Sequence, residues 1–344
     1  MNIMNKVRPN ILNLAPYSSA RDEFEGNGEI FLDANENPNE TGLNRYPDPY
    51  QLKLKEQIAS LKKVDPNQIF LGNGSDEAID LVMRIFCEPG KDNIVISNPS
   101  YGMYAVSAAI NNVAVKKVAL SENFGFTASG MLKKADSNTK MVFICSPNNP
   151  SGNTLNAYEI SKVIENFDGI VVIDEAYIDF SEQSSFILQL DKYKNLIILQ
   201  TFSKAWGLAG VRLGMAFSSP DIIKLMNKVK PPYNINILTQ KEVLQALDNK
   251  KKVKEAISNI LQEREFLISA LSNLSIVNHI FPSDSNFLLI RFNDSQPIFK
   301  YLTEKRIIIR DRSKVKHGEN CLRVTVGTPE ENRNLIKALK EYQS

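Results

Sequence analysis

The chain has 344 residues, enough for about two domains of ordinary size. Apolar residues make up 43% and charged residues 23%, and Lys plus Arg (41) against Asp plus Glu (39) leaves +2, so bulk charge offers no case for nucleic acid or an anionic membrane. No apolar run is long enough to span a bilayer and the opening stretch lacks a signal peptide's apolar core. Cys87, Cys145 and Cys321 lie too far apart for a disulfide framework or zinc spacing, and His279 and His317 are too few for a multi-histidine metal site. The expectation is a soluble cytoplasmic protein that holds no metal.

Residues 1–28 are mixed and polar and read as an arm. From Gln51 to Val64, Leu54, Ile58 and Leu61 recur at helical spacing. Short β-branched runs follow, each ending in turn-forming or polar residues: IFLGNGSDE (69–77), NIVISNPSYG (93–102), MVFICSPNNPSG (141–152), GIVVIDEAY (169–177), LIILQTFSK (196–204) and VRLGMAFSS (211–219). Helical patterns lie between several of them. One is SDEAIDLVMRIF, with Ala78, Leu81, Val82, Ile85 and Phe86 on one face. Apolar, non-alternating strands separated by helices indicate an α/β fold with a mostly parallel sheet covered on both faces. PPYNINIL (231–238) interrupts the pattern. A long helix is expected next, with Ile257, Ile260, Leu261, Leu267 and Leu271 in phase, then strands in NFLLIRF (286–292), RIIIRDR (306–312) and CLRVTVGT (321–328). The last helix opens Thr328-Pro329-Glu330-Glu331, a capping-box pattern with proline at its first position. The expected division is an arm (1–28), a large domain (29–234) and a smaller α+β domain (235–344).

In an open parallel α/β sheet, ligands bind beyond the carboxyl ends of the strands. The unusual polar residues collect there. Asp174 ends the run IVVI, Lys204 follows LIIL, Asn149 follows VFIC, Tyr101 follows IVIS, and Gly74 and Ser75 turn from IFL into a helix. A glycine-containing turn at a helix N-terminus offers N–H groups to a phosphate, and Arg212 could add a guanidinium. Lys204 could form a Schiff base with an aldehyde. Asp174 could keep a pyridine nitrogen protonated, Tyr177 and Asn149 could hydrogen-bond a phenolic oxygen, and Tyr101 could stack on the ring. A phosphate, an aldehyde, a pyridinium and a phenolate together describe pyridoxal 5′-phosphate. A dinucleotide site would need Gly-x-Gly-x-x-Gly after the first strand, where this chain reads GNGSDE.

SPNNPSG, DEAY and TFSKAWGLAGVRLG resemble the motifs of fold-type-I pyridoxal-phosphate aminotransferases. LAPYSSAR (14–21), DANENP (33–38), LNRYPDP (43–49), GNGSDEAIDLVMRIFCEPG (72–90), NPSYGMY (98–104) and CLRVTVGT (321–328) narrow the resemblance to histidinol-phosphate aminotransferases. The resemblance implies transamination of L-histidinol phosphate with 2-oxoglutarate. It implies Lys204 as cofactor anchor and proton shuttle, with Asp174 on the pyridine nitrogen. Tyr177 and Asn149 would hold the ring oxygen and Tyr101 would stack on the ring. Ser75, Asp76, Ser203 and Arg212 would bind the phosphate. It further implies that Tyr46 reaches the cofactor phosphate of a neighbouring subunit, hence a homodimer with shared sites, and that Tyr17, Asn35, Arg310 and Arg323 bind substrate. Two related activities stay open: aromatic amino acid transamination and decarboxylation of threonine phosphate.

Overall fold

The computed structural model describes residues 2–16 and 30–343, and in it the non-alternating apolar runs form the middle of a seven-stranded sheet. Its strands are β1 (Ile69–Asn73), β2 (Asn93–Asn98), β3 (Ala114–Ala119), β4 (Thr139–Cys145), β5 (Ile170–Asp174), β6 (Leu196–Thr201) and β7 (Leu213–Ser218). They lie in the order β1-β7-β6-β5-β4-β2-β3. Only β7 runs against its neighbours; the other pairs are parallel. Successive side chains leave a strand on opposite faces, and the core divides accordingly. Ile69, Leu71, Val142, Ile144, Val171 and Ile173 pack on one face, and Phe70, Met141, Phe143 and Val172 on the other. Both faces are covered, so β5, β6 and β7 are buried at every position and show no polar alternation in sequence.

The helix Gly74–Phe86 buries Ala78, Leu81, Val82, Ile85 and Phe86, the face expected from their spacing. The helix Leu52–Lys62 buries Leu54 and Ile58 and packs against the helix Ile237–Asp248, whose Val243 and Leu247 join the same core. Two features differ from the expectation in this half. β3 (AVKKVA) was not anticipated: it is an edge strand paired only with β2, half exposed, and its lysines hide any apolar run. β7 begins at Leu213 rather than Val211. A 3-10 turn at Ala209–Val211 precedes it, and Arg212 sits at φ +56°, outside the extended region.

A second, antiparallel sheet of β8 (Val277–Ile280), β9 (Phe287–Phe292), β10 (Arg310–Asp311) and β11 (Cys321–Thr325) has the order β10-β11-β9-β8. The helices Lys250–Ser272, Ser295–Glu304 and Pro329–Gln343 cover it through Leu267, Leu271, Ile298, Leu302, Leu335 and Leu339. The last helix has its capping box: Thr328 N donates to Glu331 Oε2 at 2.8 Å and Glu331 N to Thr328 Oγ1 at 3.3 Å. The strand expected across 306–312 is reduced to Arg310–Asp311. Arg306 adopts φ +61° and Ile308 is 80% exposed, so the isoleucines expected in that strand do not enter the ladder as one run. Among the described residues no helix is long and apolar enough to cross a membrane, and no cluster of acidic, His or Cys residues could hold a metal ion.

Candidate active site

The carboxyl ends of β4, β5 and β6 and the turns after β1 and β2 open on one cavity of about 680 Å³. Asp174, at the end of β5, forms its floor and is 3% exposed. Its Oδ2 accepts the Tyr104 hydroxyl at 2.7 Å and its Oδ1 accepts Ala176 N at 3.0 Å. Burial pushes the Asp174 carboxyl above its ordinary pKa, while these two donors and Lys204 hold it back. Tyr104 is fully buried on the helix Met103–Ile110 and stacks on Phe143 with ring centroids 4.9 Å apart. Burial and the neighbouring Asp174 push its phenol well up, so it stays protonated and remains a donor. Sequence reasoning missed Tyr104. The available signal is that a tyrosine inside an apolar helix face needs a partner for its hydroxyl.

One wall is built from two sheets. The tight loop after β4 closes through Gly152 N donating to Asn148 O at 2.7 Å, with Gly152 at φ +90°. It presents Asn149, whose Nδ2 donates to Tyr177 Oη at 3.3 Å. Arg323, on β11, donates from Nη1 to Asn149 Oδ1 at 2.6 Å. Tyr177 and Asn149 are both buried, and burial above all raises the Tyr177 phenol. The small sheet therefore supplies a guanidinium to a site whose floor belongs to the large one.

At the other end the turn after β1 meets Arg212. Gly74 opens its helix at φ +71° and donates its N–H to Arg212 O at 2.8 Å. A Cβ on Gly74 would lie 2.7 Å from Arg212 Nη2, so that guanidinium lies directly against the turn. A Cβ on Gly214 would collide with Ser75 N, which shows how closely β7 passes beneath the helix start. Ser75 and Asp76 occupy the first helical turn, where N–H groups lack intrahelical partners and the helix dipole favours negative charge. The Asp76 carboxylate is engaged by the Tyr101 hydroxyl at 3.1 Å. Ser203 lines the same cavity.

Lys204 lies in the turn after β6, with Nζ 5.8 Å from the centroid of the Tyr177 ring. Burial, then the Arg323 charge, lowers its pKa, with Arg212 adding to the effect and Asp174 opposing it. Arg310 and Arg312 complete the lining beside Arg323. Sequence reasoning did not single out Arg312, although it alternates with Arg310 along one strand direction. Burial and its two arginine neighbours pull it down to about 10, so it is still a cation at neutral pH.

The cavity thus gathers nearly all of the expected residues. Asn35 and Tyr46 lie elsewhere in this chain: they line a separate pocket of about 440 Å³, where the half-exposed Tyr46 stacks on Tyr233 with centroids 4.5 Å apart. Tyr17 falls outside the described residues. The donors present match pyridoxal 5′-phosphate part for part. A buried carboxylate faces the cavity floor, an amide and a phenol flank it, a lysine with a lowered pKa stands by, and a helix start with an arginine lies at the far end.

Comparison with known proteins agrees. The family described as aminotransferase class I and II matches residues 28–339. The chain is 54% identical over 337 residues to the histidinol-phosphate aminotransferase of Parabacteroides distasonis, covering 98% of each sequence. Among solved structures, the histidinol-phosphate aminotransferase of Clostridium acetobutylicum superposes with a TM-score of 0.80 at 26% identity, over 88% of this chain and 91% of the other. That of Sinorhizobium meliloti, solved with pyridoxal 5′-phosphate, superposes with a TM-score of 0.78 at 21% identity over 88% and 84%, a likeness of fold.

Proposed function

The chain belongs to the aminotransferases of class I and II, and from that membership we propose that it moves the amino group of L-histidinol phosphate to 2-oxoglutarate, giving imidazole-acetol phosphate and L-glutamate in histidine biosynthesis. The observation that carries the reading is the buried Asp174, set between the Ser75–Arg212 anion site and the Asn149–Tyr177 pair, in one cavity with a lysine of lowered pKa.

Pyridoxal 5′-phosphate, when bound, supplies an aldehyde and a ring that absorbs negative charge. The chain's residues do the rest. Ser75 and Asp76 N–H groups, the Ser203 hydroxyl and Arg212 hold the phosphate. Asp174 takes the ring nitrogen and keeps it protonated, with Tyr104 holding the carboxylate ionised. Asn149 and Tyr177 donate to the phenolic oxygen, and Tyr101 covers a ring face. Lys204 anchors the aldehyde carbon. With the cofactor bound, Lys204 Nζ would also be the group that carries the proton from the substrate carbon bearing nitrogen. A free lysine with a pKa of about 10.4 is a poor base near neutrality. Burial and the surrounding arginines lower the Lys204 value and so bring it closer to the working range.

Two substrates share the site. Arg323 and Arg310 bind their anionic ends, since a guanidinium accepts phosphate or carboxylate through the same fork. On this reading the arm (1–28) brings Tyr17 over substrate, Asn35 contacts substrate, and Tyr46 reaches the cofactor phosphate of a second copy. The pocket that holds Asn35 and Tyr46 in this chain is then completed in a homodimer. Residues 29–234 form the cofactor-holding unit and 235–344 the smaller one, and the protein works in the cytoplasm, with neither nucleic acid nor membrane as a partner. The test is glutamate formation from L-histidinol phosphate and 2-oxoglutarate by the loaded protein. Glutamate and imidazole-acetol phosphate in equal amounts are expected. Carbon dioxide released from threonine phosphate, with no glutamate from histidinol phosphate, would replace the reading by a decarboxylase.

A further inference from the structure

β10 and β11 set two arginines face to face. Arg310 and Arg323 are Cα partners across the antiparallel ladder, and like charges directly opposite are destabilising there. Arg312 lies two residues on from Arg310, and its N–H donates to Cys321 O at 2.9 Å, which continues the pairing. Side chains two apart on a strand share a face, and all three arginines line the cavity. Asp311, between them in sequence, is used elsewhere: it accepts Gln296 Nε2 at 3.1 Å and Ser313 N at 2.8 Å. Among the described residues neither Arg310 nor Arg312 has a side-chain hydrogen bond or ion pair, and Arg312 Nε is buried without an acceptor. The one acceptor of Arg323 is the neutral Asn149 amide.

Arg310 is exposed and Arg312 and Arg323 are half-buried, and three neighbouring guanidiniums without a carboxylate are a poor arrangement for stability alone, because like charges side by side repel. An anion relieves it, and the number of donors says which anion. A carboxylate is satisfied by one bidentate fork. A phosphate monoester carries between one and a half and two negative charges near neutrality and three acceptor oxygens.

We propose that Arg312 is a specificity-determining residue, a third guanidinium beside Arg310 and Arg323 that makes the cavity prefer a phosphate monoester over a carboxylate. The inference rests on the reading of this cavity as the substrate site and names the group by which the two substrates are told apart.

The experiment uses the loaded protein, with Arg312→Gln and Arg312→Lys. Inorganic phosphate and acetate are titrated calorimetrically, and half-saturating L-histidinol phosphate and L-glutamate are measured from the change in cofactor absorbance. Arg312→Gln is expected to weaken phosphate and histidinol phosphate by about tenfold or more. Acetate and glutamate should weaken several-fold less. Arg312→Lys should recover part of the loss, since it keeps the charge without the fork. Cofactor content and unfolding temperature report whether the variants fold. Equal losses for phosphate and carboxylate ligands, or none for either, overturn the assignment. If the wild-type protein ignores histidinol phosphate yet Arg312→Gln still loses inorganic phosphate selectively, the substrate reading fails and the role of Arg312 stands.

Discussion

Tyr104→Phe removes one oxygen atom from a fully buried side chain and leaves its ring in place. The ring still stacks on Phe143 at 4.9 Å and meets Tyr101 edge-on at 5.6 Å, so the change makes almost no cavity. What is lost is the 2.7 Å hydrogen bond to Asp174 Oδ2, which leaves Ala176 N as the remaining hydrogen-bond donor to that carboxylate. A hydrogen bond to a charged group contributes about 1.5–3 kcal/mol. The Tyr104 bond opposes the rise of the Asp174 pKa, so its removal lets that pKa climb and weakens the carboxylate as a partner for a protonated ring nitrogen. Taking the lower figure, the cofactor should dissociate about tenfold more readily and kcat should fall by a similar factor, while KM values change little. The assay is equilibrium dialysis of pyridoxal 5′-phosphate with thermal unfolding in parallel. A variant that binds cofactor and turns over within about twofold of the wild type would refute the claim that Tyr104 sustains the Asp174 charge.

Three further outcomes are expected. Lys204→Ala should fold, keep the cofactor through its remaining contacts and lose turnover; near wild-type transamination would remove Lys204 from the chemistry. Gly214→Ala should drive a methyl into the backbone at Ser75 N and Gly74 C. Overpacking of that kind typically destabilises by about 1–3 kcal/mol, and here it should also lower cofactor retention, because Ser75 N is one of the proposed phosphate donors; unchanged melting and cofactor content would contradict it. The buried Glu175 carboxyl is pushed up to about 7 by burial, against donors from Ser185, Phe186 and Gln200. Its folded pKa is above its unfolded one, so the folded state holds an extra proton between roughly 4.5 and 7. That contribution is complete below 4.5 and is lost as pH rises toward 7, at about 1.4 kcal/mol per unit. Denaturant unfolding of wild type against Glu175→Gln at pH 5 and pH 8 should show the wild type losing ground at the higher pH. A constant difference would contradict this.

Much of the site was legible because catalytic groups in such a sheet stand where buried strands end. Val171, Val172 and Ile173 are fully buried, so the first polar residue after them, Asp174, marks the strand's mouth by contrast. The same contrast exposes Asn149 and Lys204. β3 escaped because an edge strand needs only one partner and tolerates Lys116 and Lys117. RIIIRDR misled in the other direction: Ile308 is apolar and exposed, and a run of isoleucines does not say whether a partner strand is present. Tyr104 and Arg312 escaped because their roles depend on what folding brings beside them, the Asp174 carboxylate in one case and the Arg310 and Arg323 charges in the other, and sequence order alone does not show those neighbours. Asn35 and Tyr46 are legible by resemblance alone, and within one chain they stand apart from the cavity.

The most direct measurement is the visible absorption of the loaded protein before and after L-histidinol phosphate is added with no keto acid. The cofactor's visible band should fall in proportion to the donor added, return when 2-oxoglutarate follows, and do neither in Lys204→Ala. A band present in the wild type but indifferent to histidinol phosphate would contradict the proposed substrate, and the absence of any band after loading would contradict the cofactor site itself.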